Sequence, residues 1–219
     1  MIKVTDLNKE YRTGRVVVHA LRGVDFEVDE GGFTAVAGPS GCGKSTLLYL
    51  LGGLLKATSG TATIDGFDIT GASDSQLTAF RRDNIGFVFQ KFNLIGALSV
   101  YDNLKIACRI QGRLDGAESR IRKMLERVGL ESKVDMRPLD LSQGEQQRVA
   151  VARALIKEPK ILLADEPTGN LDSENSLNIM DLFRSMSSDH GHTILMITHD
   201  RTLASMTDRI IEMKDGRTL

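Results

Sequence analysis

The 219-residue chain has no tryptophan, two cysteines and four prolines, and aromatic residues make up 5% of it. Cys42 and Cys108 have no zinc-ligand spacing and suggest no disulfide framework, which argues against a zinc finger and a small secreted scaffold. Charge of one sign is also missing: 28 Lys+Arg stand against 29 Asp+Glu, a net charge of -1. No global basic field is available to hold nucleic acid or an anionic membrane, so no nucleic-acid partner is expected. The longest apolar stretch, near Leu47–Leu55, is broken by Gly52 and Gly53 and ends at Lys56. That falls short of the ~20 residues a membrane-spanning helix needs. The start, Met1 to Glu10, has no apolar core of a signal peptide, so a cytoplasmic location is expected. Internal repeats and low-complexity linkers are absent too. What remains is ordinary for a globular protein, 41% hydrophobic and 26% charged, at a length that fits one elaborated domain or two small subdomains, and a single domain over residues 1–219 is expected.

Apolar β-rich runs alternate with helical patterns, which predicts an α/β fold with a largely parallel sheet. The candidate strands are Phe33–Ala37, Ile85–Phe89, Ile161–Ala164 and Thr193–Ile197. Ile2–Leu7, Val16–Leu21 and Val24–Val28 read as shorter strands of an antiparallel N-terminal subdomain. Ile121, Met124, Leu125 and Val128 repeat at helical spacing before a stop at Gly129, and Ile179, Leu182, Phe183 and Met186 form a second such stripe. Residues from about 91 to 158 contain no convincing strand and are expected to form an inserted α-helical subdomain, interrupted at Pro138 and ended by Pro159. Lys214-Asp215-Gly216-Arg217 predicts a hairpin turn after Ile210–Met213, with no regulatory domain expected beyond it.

Gly38-Pro39-Ser40-Gly41-Cys42-Gly43-Lys44-Ser45-Thr46 matches the phosphate-binding Walker A pattern, preceded by a strand and followed by an apolar helix. The glycines let successive N–H groups curl toward phosphate oxygens, and the helix N-terminus adds partial positive charge. Lys44 supplies a full charge near the β- and γ-phosphates, and Ser45 is placed to ligate Mg2+. Cys42 within this loop is expected to be a small filler. Ile161-Leu162-Leu163-Ala164-Asp165-Glu166 ends a buried strand in two acids, where ligands of α/β sheets bind. Asp165 fits the Mg2+-holding role of a Walker B motif, and Glu166 that of a group orienting or deprotonating water. His190 and His192 read as loop residues, and Arg81-Arg82 as a solvated helix face.

Leu141-Ser142-Gln143-Gly144-Glu145-Gln146-Gln147-Arg148 then resembles the signature of ATP-binding-cassette (ABC) ATPases, usually Leu-Ser-Gly-Gly-Gln. Gln143 and Glu145 depart from that pattern, with a consequence left open, while Ser142 and Gly144 keep the expected γ-phosphate donors. The resemblance extends to Gln90 as the Q-loop residue, to Gly169-Asn170-Leu171-Asp172 as the D-loop crossing a dimer interface, to His199 as the switch histidine and to Tyr11 as an adenine-stacking aromatic. Its finer details are similar to the lipoprotein-release and macrolide-export branch, with the cell-division ATPase of that branch also close.

The resemblance implies a P-loop NTPase (RecA-like) core and a head-to-tail homodimer that binds ATP and Mg2+ between Walker A of one copy and Ser142 and Gly144 of the other. It further implies that the ATPase is peripheral on the inner face of the membrane, docked to an integral-membrane permease. The alternative is an ATP-switched regulator of a cell-envelope or cell-division complex without transport. Phe92, Leu94 and Leu98, which follow Gln90, are expected to form an apolar groove for a short permease helix.

Overall fold

The four strongest apolar runs are central strands, because a run with no polar alternation suits a strand buried on both faces. The computed structural model describes residues 1–219. In chain order the elements are β1 (Ile2–Thr13), β2 (Val16–Val28), β3 (Phe33–Ala37), α1 (Lys44–Leu51), β4 (Ser59–Ile64), β5 (Phe67–Asp68), α2 (Asp74–Asn84) and β6 (Ile85–Phe89). There follow α3 (Val100–Gln111), α4 (Ala117–Arg127), two single 3-10 turns at Glu131–Lys133 and Pro138–Asp140, and α5 (Gln143–Leu155). The chain ends with β7 (Ile161–Asp165), α6 (Ser173–Ser188), β8 (Thr193–Thr198), α7 (Arg201–Ala204), β9 (Arg209–Lys214) and β10 (Arg217–Thr218).

One sheet has the order β10-β9-β3-β8-β7-β6, and every pairing from β9 to β6 is parallel. A second, antiparallel sheet has the order β2-β1-β4-β5. Side chains alternate across the parallel sheet and divide the interior in two. Val36, Leu163, Leu195 and Ile197 face the antiparallel sheet and α1, whereas Ala35, Leu162, Ala164 and Met196 face α3, α5 and α6. The helices between β6 and β7 share this second core with the sheet: Leu104, Ile121, Leu125 and Val149 belong to the same buried cluster as Phe33 and Ile194.

The N-terminal region differs from its expected three short strands. β1 and β2 are two long strands, and irregular pairing between Val4 and Glu10 absorbs the breaks that the apolar pattern suggested. The outer half of the hairpin is exposed, so no buried face imposes alternation on Val16, Val17 and Val18. β4 and β5 lack any strong apolar run and lie outside the expected strands, while α2 is the helix that carries Arg81 and Arg82. Arg81 also departs from the solvated reading: it is half-buried and donates to the Gly53 carbonyl just past α1, at 2.5 Å.

Candidate functional site

The C-terminal ends of four adjacent parallel strands carry the candidate residues. β3 runs into the loop Gly38 to Gly43, β8 ends beside His199, β7 ends at Asp165 and Glu166, and β6 ends before Gln90. Because these strands are neighbours in the order β3-β8-β7-β6, the four segments line one edge of the sheet, where ligands of open α/β sheets bind.

The loop before α1 is shaped for an anion. Gly43 takes φ 105, and a Cβ there would collide with the Ala20 carbonyl, so only glycine lets the loop close against β2. No side chain caps α1 and its first turn has no acid, which leaves its leading N–H groups unclaimed. Pro39, Ser40, Gly41 and Ser45 are exposed, with Thr46 half-buried behind them. Lys44 is buried, and its ammonium donates to the carbonyls of Gly38 at 2.7 Å and Pro39 at 2.9 Å. Cys42 is buried, with its Sγ 4.0 Å from that ammonium, as a filler would be.

Asp165 is only 8% exposed and each carboxylate oxygen has its own donor. The Ser45 hydroxyl donates to Oδ1 at 2.9 Å and the Tyr49 hydroxyl to Oδ2 at 2.7 Å. Burial, and then the Asp165 carboxylate, push the Tyr49 phenol up to about 12. Tyr49 belongs to no motif and stands in an apolar helical run. Its one sequence signal is spacing, since a residue four after Ser45 lies on the same helix face.

Glu166 follows with φ 45, in the left-handed region, held there by its own N–H donating to the Ile197 carbonyl at 3.1 Å. Its Oε2 lies 3.2 Å from His199 Nδ1. Both face a cleft of about 450 Å3 that Thr168, Gly169 and Thr198 also line. Gln90 is tied to the loop after β7: its carbonyl accepts from Asn170 Nδ2 at 2.9 Å, and its amide reaches Asn170 Oδ1 at 3.4 Å.

The remaining candidates sit elsewhere. Ser142 caps α5 in a reciprocal box: Glu145 Oε2 accepts from the Ser142 N–H at 2.8 Å, and Ser142 Oγ accepts from the Glu145 N–H at 3.3 Å. That Ser142 backbone donor holds the Glu145 carboxyl below the usual range, and Lys133 lies 3.6 Å away. Gln143 is exposed in the first turn of α5. Gly144 is a glycine of close approach, since a Cβ would collide with the Asn175 side-chain oxygen. Asn175 in turn donates to Asp172, which caps α6, and holds that carboxyl below its usual range. No hydrogen bond joins Ser142, Gly144 or Asp172 to the phosphate loop of the same chain. Tyr11 is 40% exposed on β1 opposite Val18, with the Lys9 ammonium 5.2 Å from its ring centroid.

Gln147 is a second such residue. It is fully buried and donates to the Pro167 carbonyl at 2.6 Å, linking the start of α5 to the loop that follows Glu166. His192 accepts its loop assignment, with Nδ1 2.9 Å from the Pro159 carbonyl.

Beyond the phosphate loop, an apolar groove of about 360 Å3 is lined by Phe87, Phe89, Ile95, Ile106, Ile110 and Arg153, among others. It does not involve the expected Phe92, Leu94 and Leu98. Leu94 instead packs against the buried cluster under the sheet, while Ile95 and Ile110 are 40% and 63% exposed. No helix is long and apolar enough to cross a membrane.

The ABC transporter family pattern matches residues 21–169. Over 221 residues the chain is 42% identical to the ABC transporter ATP-binding protein MJ0796 of Methanocaldococcus jannaschii, covering 99% of this chain and 94% of that one. The macrolide export ATP-binding/permease protein MacB of Mannheimia succiniciproducens is 40% identical over 220 residues; the match covers 100% of this chain but 34% of that protein, so the chain spans about a third of its length. A solved dimer of the MJ0796 cassette in a post-hydrolysis state, bound to ADP and Pi, superposes with TM-score 0.92 at 39% identity over 100% of this chain and 96% of that one. On the phosphate loop, the acidic strand end and these likenesses together, the chain belongs to the ABC transporter family and is an ATP-hydrolysing nucleotide-binding cassette of it.

Proposed function

We propose that two copies of the chain close head to tail on two ATP molecules and that this closure drives a separate integral-membrane permease. The observation that carries the proposal is the row of strand ends, which sets Lys44, Asp165, Glu166, His199 and Gln90 along one edge of one sheet. The N–H groups of Gly38 to Thr46 and the Lys44 ammonium hold the phosphates, and Tyr11 stacks on the adenine. Ser45 and Asp165, with Gln90, hold Mg2+. This is a small set of hard oxygen donors, suited to a cation shared with phosphates rather than caged by protein. Mg2+ held there would supply neutralising charge to the phosphates.

Glu166 accepts the proton of a water whose oxygen attacks the γ-phosphorus. The bond to the β–γ bridging oxygen breaks, and ADP and phosphate leave. His199, 3.2 Å from Glu166, holds that carboxylate and meets the γ-phosphate. Ser142, Gln143, Gly144 and Glu145 serve the nucleotide of the partner copy, and Asp172 stands at the interface. In support, the solved dimeric cassettes are similar over the whole chain and the macrolide-export relatives are permease fusions.

A short cytoplasmic helix of the permease would occupy the Ile95–Ile110 groove, placing this ATPase on the inner face of the membrane. Charge argues for that occupant. Arg153 and Lys157 at the groove have no carboxylate partner and donate only to the carbonyls of Asn93, Phe92 and Ile85. Burial pushes both cations down, so an acidic residue on an otherwise apolar helix fits there.

The test is hydrolysis against protein concentration. A composite site requires a rise steeper than linear while the dimer is weak, and Ser142→Arg should abolish the rise yet spare nucleotide binding to the monomer. Strict proportionality, with a monomer in sedimentation under ATP, would reject the dimer.

A further inference from the structure

Tyr49 stands in the apolar run Leu47-Leu48-Tyr49-Leu50-Leu51, where its neighbours are buried in the core. It is half-buried, and its hydroxyl is spent on a single acceptor, Oδ2 of Asp165, at 2.7 Å. One turn earlier on the same helix Ser45 donates to Oδ1 at 2.9 Å. Two hydroxyls on one helix face therefore grip the two oxygens of one buried carboxylate. A carboxylate held by one oxygen can still rotate about its last bond, whereas one held by both has a fixed plane. The two donors differ in what else they can do. A Ser45 oxygen that ligates a cation through a lone pair keeps its proton for Oδ1, but Tyr49 has no other partner and stays where it is.

We propose that Tyr49 is a positioning residue for the divalent cation: its hydroxyl pins Oδ2 of Asp165, so that Oδ1 keeps a fixed direction toward Ser45 and the metal. This rests on the assignment of Asp165 and Ser45 to the cation. Groups that orient a metal-holding side chain typically contribute about 10- to 100-fold to metal affinity. Tyr49→Phe keeps the ring and the packing of α1 and removes only the donor.

The experiment uses the full chain with Glu166→Gln, loaded with ATP, and titrates Mn2+ as the probe while free Mn2+ is read by electron paramagnetic resonance. Tyr49→Phe should weaken Mn2+ about 10-fold or more, while ATP binding in EDTA stays within about two-fold, since metal-free binding draws on contacts Tyr49 does not make. With Glu166 intact, the Mg2+ concentration for half-maximal hydrolysis should rise while the rate at saturating Mg2+ changes little. Unchanged Mn2+ affinity overturns the proposal. Equal weakening of Mn2+ and of metal-free ATP binding also overturns it, because Tyr49 then only shapes the helix. Asp165→Asn in the same background separates the two layers: if it leaves Mn2+ binding intact, the underlying assignment of Asp165 has failed and the role of Tyr49 falls with it.

Discussion

α1 and α5 both begin at a glycine-bearing motif associated with phosphate, yet their N-termini are finished in opposite ways. α1 starts behind Gly43 with no side-chain cap and no acid in its first turn. α5 starts behind Ser142 with a complete box and the Glu145 carboxylate folded back onto the Ser142 N–H. The uncapped N-terminus keeps all its leading amides open to an anion, whereas in the boxed one the Ser142 and Glu145 amides are taken and those of Gln143 and Gly144 stay open. Under the proposed head-to-tail arrangement, the first serves the nucleotide of its own chain and the second that of the partner copy. Under that arrangement Glu145 would bring a negative charge close to the incoming phosphate.

The largest expected effect tests the site that α1 serves. Glu166→Gln should leave ATP bound and cut hydrolysis about 10²- to 10⁴-fold, the usual cost of losing a general base. Near-normal turnover would remove Glu166 from the role. Next is the groove: Ile110→Asp should spare the basal hydrolysis of the isolated chain and abolish stimulation by a reconstituted permease. Loss of both activities together would make Ile110 part of the core instead.

Smaller effects sharpen the contrast between the two helices. Glu145→Gln removes the carboxylate near the incoming phosphate and should tighten ATP-driven dimerisation by about two- to five-fold, measured by sedimentation in the Glu166→Gln background. No change there would mean that the charge does not reach the interface. Smallest is the box itself: Ser142→Ala should cost about 1 kcal/mol, a fall in Tm of about 2–4 °C. The box also sets a pH dependence. Because the Ser142 N–H lowers the folded pKa of Glu145, the carboxylate stabilises the fold above the ordinary Glu range. That contribution is lost as pH falls through the lowered value, and Glu145→Gln should remove this part of the acid destabilisation in melts at falling pH.

Most of the parallel sheet was legible because its strands are short unbroken apolar runs. β3 and β6 span the residues expected of them, and β7 and β8 extend one residue further. Their C-terminal ends therefore placed the phosphate loop and the acids without further information. The antiparallel sheet was less legible, since half of the β1–β2 hairpin lies outside the core and β4 is a run of small and polar residues. Side-chain partners were hidden for a different reason. Tyr49 and Asp165 are far apart in sequence and meet only because α1 packs across β7. The groove was displaced for a third reason. An apolar run with no period has no preferred face, so the sequence pattern did not distinguish Leu94, turned inward, from Ile95, turned outward.

α5 spans 13 residues, a rod of about 20 Å. It is buried along most of its length, from Gly144 and Gln147 through Val149, Val151 and Ala152 to Ala154 and Leu155, with exposed Ser142 at one tip and Arg153, with Lys157 just beyond, near the other. A rod gripped along its length moves as one body. Under the proposed docking, a helix pressed into the groove would shift it as a whole, and a shift of roughly 1 Å at the Ser142 tip is enough to change rates by about 10²-fold where geometry is tight. Under that reading the groove and the signature loop are the two ends of one strut, and the continuous packing between them sets how faithfully one follows the other.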